Sequence, residues 1–176
     1  MTNVTGISAA SLTDIPELVK LVNSAYRGEA STKGWTTEAH LLEGELRTDE
    51  NSLKEMMAKP GAAMLKYCNE KGDINGCVYL KNEGNKIYLG MLTVSPELQG
   101  AGIGKILLSA ADDYARKQNC NAIFMTVISV RHELIAWYER HGYKLTGEKR
   151  PFPTDTKFGV PTRPLEFVVL EKNISL

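Results

Sequence analysis

Apolar residues recur along much of the chain at intervals of three and four, the spacing that places them on one face of a helix. Polar residues suited to a helix N-cap and glycines suited to a helix C-terminus flank several of these stretches. The pattern predicts helices after an Asp14 N-cap, at residues 36–46, at residues 52–59 with a Ser52–Glu55 capping box, from Ile103, and from Leu134 to Gly142.

Other stretches alternate with a period of two or form short continuous apolar runs, both of which are typical of strands. Three of them, AAMLKYC, GCVYLKN and KIYLGMLTV, are separated by short turns rich in Gly, Asn and Asp, so they predict an antiparallel meander. The predicted strands cover Val4–Ser8 and residues 62–68, 76–82, 86–94, 122–128, 143–149 and 165–171.

Length and composition narrow the class of protein. With 176 residues, 43% of them hydrophobic and 24% charged, the chain is expected to form one domain over residues 1–176. Lys plus Arg and Asp plus Glu both number 21, so the chain lacks the excess positive charge expected of a dedicated nucleic-acid binder. No apolar run reaches the roughly 18 residues of a membrane span, and a cytoplasmic location with no membrane partner is predicted.

The cysteines and histidines do not form a recognisable metal or disulfide pattern. Cys68, Cys77 and Cys120 are odd in number and lack C-x-x-C spacing, and the three histidines are scattered. We therefore expect buried free thiols and no metal site.

A glycine-rich segment, QGAGIG at residues 99–104, lies between a predicted strand and a predicted helix. Such a turn suits phosphate, because the first N–H groups of a helix point at the anion. A Walker A loop is excluded because Gln99 stands where its first glycine belongs and Ile106 where its Ser or Thr belongs. A Rossmann fingerprint is excluded because it needs glycine at Lys105, or glycine or alanine at Leu107.

The segment fits the pattern Gln-x-x-Gly-x-Gly and resembles the acetyl-CoA loop of the GNAT acetyltransferase superfamily. The later segment WYERHGY, residues 137–143, resembles the aromatic-Tyr-x-x-x-Gly-aromatic pattern on a late helix of the same superfamily. The order of predicted elements is similar over nearly the whole chain. The chain is thus identified from its sequence as a single-domain member of this superfamily.

The resemblance implies an α/β (α+β) fold with a central mixed, mostly antiparallel sheet of about seven strands flanked by about four helices. It implies an acetyl-CoA-dependent N-acetyltransferase, in which the primary amine of a small molecule or peptide attacks directly, without an acyl-enzyme. A non-catalytic acyl-CoA-binding or regulatory protein with this fold is the alternative. The resemblance also leaves a homodimer open.

The resemblance also implies roles for individual residues. Backbone N–H groups of the glycine loop would hold the pyrophosphate, the preceding strand would hold the pantetheine arm, and a bulge in that strand would turn an N–H toward the thioester. Arg131 stands where many relatives have an asparagine that contacts the arm. The implied acetyl-CoA residues are Leu92, Val94, Gln99, Gly100, Ala101, Gly102, Ile103, Gly104, Lys105 and Arg131.

Tyr138 matches the tyrosine that, in many relatives, protonates the departing thiolate, which makes it the implied catalytic residue. Some relatives carry a glutamate on the strand before the loop, but KIYLGMLTV has none. Either a water chain serves as the base, or a group elsewhere such as Glu29, Glu38 or His40 does, or the substrate amine is only mildly basic. The loops at residues 26–35 and 150–164 are expected to line the acceptor site. Their charged residues lean basic, which suggests an acceptor with a carboxylate. The implied substrate contacts are Tyr26, Trp35, Tyr88, Phe152 and Phe158.

Overall fold

The structure of the protein, a computed structural model, describes residues 6–175. The strands in this range are β1 (Gly6–Ala9), β2 (Leu42–Glu43), β3 (Ala62–Cys68), β4 (Ile74–Glu83), β5 (Lys86–Val94), β6 (Ala122–Ile128), β7 (Lys144–Pro151), β8 (Val160–Pro161) and β9 (Glu166–Asn173). The α-helices are α1 (Ile15–Tyr26), α2 (Glu50–Ala58), α3 (Ile103–Lys117) and α4 (His132–Arg140).

Seven strands form one sheet in the order β1-β3-β4-β5-β6-β9-β7, and β2 pairs separately with β8. The meander β3-β4-β5 is antiparallel as predicted. The one parallel pair among the described strands is β5 with β6, which α3 connects as a crossover helix. The predicted mixed, mostly antiparallel sheet with four helices is therefore confirmed.

Hydrophobic side chains bury both faces of the sheet. On one face α3 and α4 contribute Leu107 and Tyr138 to a core that includes Ile123 of β6. On the other face α1 and α2 contribute Leu18 and Leu53, which are fully buried. Removal of this apolar surface from water is the main force that holds the three layers together.

Strands β5 and β6 separate soon after they begin to pair. Their register covers only Lys86–Tyr88 against Ala122–Phe124. Further along, β5 contains a bulge, in which Met91 and Leu92 have no partner on β4 and Met91 adopts a φ of 50°. The sheet therefore opens between β5 and β6, and the bulge lies at the edge of this opening.

Two local predictions were wrong. Residues 36–46 form turns and the short strand β2 where a helix was predicted. Helix α2 is capped by Asp49, whose side chain accepts a bond of 2.7 Å from the Ser52 N–H, so Ser52 is not its N-cap. Asp14 is the N-cap residue of α1 as predicted, but its carboxylate accepts from the Ser11 N–H at 2.9 Å, in the 3-10 turn that precedes α1, and makes no capping bond to α1 itself.

The remaining predicted elements are observed within a few residues of their expected ends. Of the predicted first strand, Val4 and Thr5 lie outside the described residues. Within residues 6–175, no helix is both long and apolar enough to cross a membrane.

Candidate active site

The glycine-rich segment forms a tight loop that leads directly into α3. Gly102, at the N-cap position, has a φ of 87°, a left-handed conformation that glycine adopts without steric cost. The N–H groups of the first turn of α3 have no partners inside the helix, because an α-helix leaves its first four donors unpaired. The loop and helix therefore present backbone donors and the positive end of the helix dipole to the same space.

The side chain of Gln99 holds this loop to the segment that follows α1. Its Oε1 accepts from the Trp35 N–H at 2.8 Å, and its Nε2 donates to Thr36 Oγ1 at 2.7 Å and to the Val94 carbonyl at 3.1 Å. A Cβ on Gly34 would lie 2.4 Å from Gln99 Oε1, so only glycine leaves room for this amide. Gln99 thus has a structural role in addition to the backbone role predicted from the motif.

A cavity of about 620 Å³, the first cavity, lies between the end of β5, the start of α3 and the outer face of α4. Its volume is within the range of about 300 to 1,000 Å³ that is common for ligand pockets. Ala101 and Arg131, both predicted to contact acetyl-CoA, are absent from its walls. The predicted acetyl-CoA residues that do line it are Leu92, Val94, Gln99, Gly100, Gly102, Ile103, Gly104 and Lys105.

An aromatic wall on the first cavity was not predicted from the sequence. The ring of Trp137 lies 6.1 Å from that of Trp35 and 4.3 Å from that of His141, centroid to centroid. A Cβ on Gly104 would lie 3.0 Å from Trp137 Cζ2, so the second glycine of the motif makes room for this indole. The helical spacing of Trp137 is also typical of a core residue, and for this reason the pattern alone did not reveal its position.

A second cavity, of about 230 Å³, lies in the opening between β5 and β6. Tyr88 and the bulge of β5 line it, together with Arg47, Glu38 and Arg131. Four residues line both cavities and mark the place where they meet: Tyr26, Leu92, Leu134 and Tyr138.

Tyr138 is buried, and it lines both cavities. Burial raises the pKa of Tyr138 well above its usual value, because the phenolate would lose its hydration. Tyr26 is also buried, and burial raises its pKa to about 12. The Tyr26 hydroxyl donates to the Leu92 carbonyl and so supports the bulge of β5.

Arg131 and Glu38 belong to a buried ionic network. Glu38 Oε1 accepts from Arg27 Nε at 3.2 Å, and Glu38 Oε2 lies 3.5 Å from Arg131 Nη1. Arg131 Nη2 also donates to the Thr36 carbonyl at 2.5 Å. Two guanidinium groups thus occupy the Glu38 carboxylate, which makes it poorly suited to accept a proton from an amine.

The other residues predicted near the acceptor are distributed over different places. Trp35 lines the first cavity and Tyr88 the second. Phe152 and Phe158 line a third cavity, of about 260 Å³, which shares Arg47 and Glu38 with the second. Glu29 and His40, which were considered as bases, line none of these three cavities.

Several solved structures similar to this one are described as acetyltransferases. The ribosomal-protein-S18-alanine N-acetyltransferase from Escherichia coli aligns with a TM-score of 0.70 at 16% identity, over 97% of this chain and 94% of that chain. The ribosomal-protein-alanine N-acetyltransferase from Brucella melitensis gives 0.69 at 19% identity, over 96% and 99%. The Salmonella typhimurium protein yncA, solved with its cofactor acetyl-CoA, gives 0.69 at 19%, over 98% and 95%. These similarities show a common fold.

A sequence model of the acetyltransferase (GNAT) family matches residues 18–143. No curated protein sequence matches the chain. Since the family model covers well over half of the 176 residues, the chain belongs to the GNAT acetyltransferase family. The protein is thus an acetyltransferase, and acetyl-CoA is its cosubstrate.

Proposed function

We propose that the protein transfers the acetyl group of acetyl-CoA to the primary amine of a small molecule or peptide, and that the reaction takes place where the first and second cavities meet. The observation that supports this proposal is the position of Tyr138 and the β5 bulge on the walls of both cavities. Acetyl-CoA would occupy the first cavity, and the amine would enter through the second.

The residues of the first cavity suit coenzyme A. The N–H groups at the start of α3 provide donors for the pyrophosphate, and Lys105 lies on the same wall with a positive charge. The apolar and aromatic side chains of Leu92, Leu134 and Trp137 suit a pantetheine arm. The first cavity therefore combines an anion-binding end with an apolar channel that leads to Tyr138.

Acetyl-CoA brings the acetyl group as a thioester. Attack by the neutral amine forms a C–N bond and breaks the C–S bond, coenzyme A leaves as its thiolate, and the proton that the amine loses passes to water. The bulge at Met91 and Leu92 frees backbone groups from the β4 ladder, and we assign the Leu92 N–H to the oxygen that becomes negatively charged. A donor of this kind is worth roughly 3 to 4 kcal/mol in the transition state. The Tyr138 hydroxyl donates to the departing sulfur.

Transfer to a panel of amines tests the proposal. Purified protein is incubated with acetyl-CoA and amino acids, polyamines, aminoglycosides and short peptides, and both thiol release and N-acetylated product are measured. The expected result is one N-acetylated product for each thiol released with at least one class of amine. If acetyl-CoA binds but no amine gains an acetyl group, the proposed reaction is wrong.

A further inference from the structure

Two arginines hold one carboxylate near the second cavity, and a third arginine lines the same cavity as this carboxylate. Arg27 and Arg131 both contact Glu38, and the side chains of these three residues are only 4%, 7% and 10% exposed. This group alone carries a formal excess of one positive charge. Arg47 lines both the second and the third cavities beside Glu38 and adds another positive charge.

Arg47 differs from the other two arginines in what its guanidinium contacts. Arg27 also donates to the backbone carbonyls of Leu46 and Phe158, and Arg131 donates to Thr36. For Arg47, by contrast, no carboxylate among residues 6–175 lies within ion-pair distance.

The environment of Arg47 favours an anion. Arg47 is half-buried, and its charge acts on Arg27. Burial is the main cause that lowers the pKa of Arg27, the Glu38 carboxylate raises this pKa, and the positive charge of Arg47 lowers it further. A positive charge that is removed from water without a partner is costly, and a bound anion removes this cost. Arginine is well suited to such a role, since its planar donors match the two oxygens of a carboxylate.

We propose that the acceptor is a small amine that carries a carboxylate, and that Arg47 binds this carboxylate in the second cavity. This inference rests on the proposed function, because it describes the substrate of the same site. The bulge of β5 and Tyr138 line the same cavity as Arg47, so an amine and a carboxylate of one molecule reach their partners together. The volume of about 230 Å³ lies below that of typical drug-sized pockets and suits a small acceptor.

The test compares matched pairs of acceptors. Free amino acids and small ω-amino acids are each assayed beside their own carboxamide, with wild type, Arg47→Gln and Arg47→Lys. For at least one pair, we expect kcat/KM to be about 10-fold or more higher for the acid than for the amide, because a hydrogen bond to a charged group is lost in the amide. Arg47→Gln should lower kcat/KM for the acid by a much larger factor than for the amide and so remove this preference, and Arg47→Lys should restore part of it.

Arg116→Gln is the matched control, because Arg116 lies on α3, is 48% exposed in its side chain and lines neither cavity. It should behave as wild type with both members of every pair. Equal rates with acids and amides, or an Arg47→Gln variant that lowers both rates by the same factor, would overturn the proposal.

A binding measurement separates failure of this inference from failure of the proposed function. In the presence of coenzyme A, calorimetry is used to compare N-acetyl amino acids with N-acetyl amino acid amides, and no turnover is needed. Tighter binding of the acids that is lost in Arg47→Gln supports the carboxylate site. If the only acceptors found are polyamines or other amines without a carboxylate, the transferase stands and the inference is wrong. If no amine is acetylated at all, the proposed function is wrong.

Discussion

Burial of Tyr138 determines what its hydroxyl can contribute to the reaction. A thiol has a pKa of about 8.5 and a tyrosine about 10, so complete proton transfer from phenol to thiolate already costs roughly 2 kcal/mol. Burial raises the pKa of Tyr138 further and so raises this cost. Tyr138 is therefore better suited to donate a hydrogen bond to the departing sulfur than to give up its proton completely.

Tyr138→Phe distinguishes these two roles by magnitude. Loss of one hydrogen bond to a charged sulfur should lower kcat by roughly 10- to 100-fold, whereas loss of a true general acid costs up to about 10⁴-fold. The KM for acetyl-CoA should change little. Steady-state measurement of thiol release gives both constants. Tyr114→Phe is the control, because Tyr114 lines neither the first nor the second cavity, and an equal loss in both variants would contradict the assignment.

Glu38 is the residue whose loss should most affect stability. Glu38→Gln leaves Arg27 and Arg131 without a buried counter-charge, and removal of one partner from a buried ion pair typically costs about 3 to 5 kcal/mol. The free energy of unfolding, measured in urea, should fall by about this amount. Glu97→Gln is the comparison, because Glu97 pairs with Lys33 at the surface and both side chains are about two-thirds exposed. This substitution should change the free energy of unfolding by less than about 1 kcal/mol. Similar values for the two variants would show that the buried network does not stabilise the fold.

Individual residues of the site could be predicted from the sequence only where they belong to a recognisable sequence motif. The loop at residues 99–104 and Tyr138 have such motifs, and the structure brings both to the first cavity. Arg47 belongs to no motif, and neither does the contact between Glu38 and Arg131, which joins segments far apart in the chain. The bond from Gln99 to Trp35 spans 64 residues and has no local signal either.

At the level of elements, α3 and α4 together shape the first cavity. Gly104 of α3 faces the indole of Trp137 on α4, and a methyl group there would lie 3.0 Å from Cζ2 and 3.2 Å from Cη2. Alanine would favour the helix itself by roughly 1 kcal/mol, because glycine is a poor helix former. The contact between the two helices, and not the propensity of α3, therefore requires glycine.

Gly104→Ala should weaken acetyl-CoA binding by roughly 10-fold, since overpacking costs about 1 to 3 kcal/mol and moves Trp137 into the cavity. Trp137→Phe removes the two carbon atoms that alanine would contact. In the Trp137→Phe variant, Gly104→Ala should have a much smaller effect on the Kd for acetyl-CoA. Calorimetry measures this Kd for wild type, the two single variants and the double variant. Equal effects in the two backgrounds would mean that the helices are not coupled through this contact.

Most elements could be predicted from hydrophobic periodicity, because α1, α3, α4 and the inner strands of the large sheet bury one face or both. Residues 36–46 were the exception. Leu41 and Leu42 are buried, as an apolar pattern suggests, but they pack with Ile128 and Phe167, and β2 pairs with β8 more than 110 residues later. Pairing with a distant strand replaced the local helix, and no pattern within the segment indicates this partner.

For the whole molecule, the two cavities predict that the acetyl group is transferred directly and not through an acyl-enzyme. They share Tyr138, but the glycine loop and the start of α3 line only the first and the residues of β6 line only the second, so donor and acceptor can be bound at the same time. No cysteine lines either cavity, and Cys77, fully buried, has a pKa that burial raises to about 12. A covalent acetyl-cysteine therefore has no support in the described residues. Initial rates should give intersecting double-reciprocal lines, and parallel lines would contradict direct transfer.

The central claim is that the acetyl group is transferred where the first and second cavities meet. A crystal structure of the protein with coenzyme A tests it most directly. We predict the pyrophosphate at residues 99–105, the pantetheine arm beside Leu92 and Trp137, and the sulfur within hydrogen-bond distance of the Tyr138 hydroxyl. Coenzyme A bound with its sulfur outside the region that Tyr26, Leu92, Leu134 and Tyr138 enclose would contradict the claim.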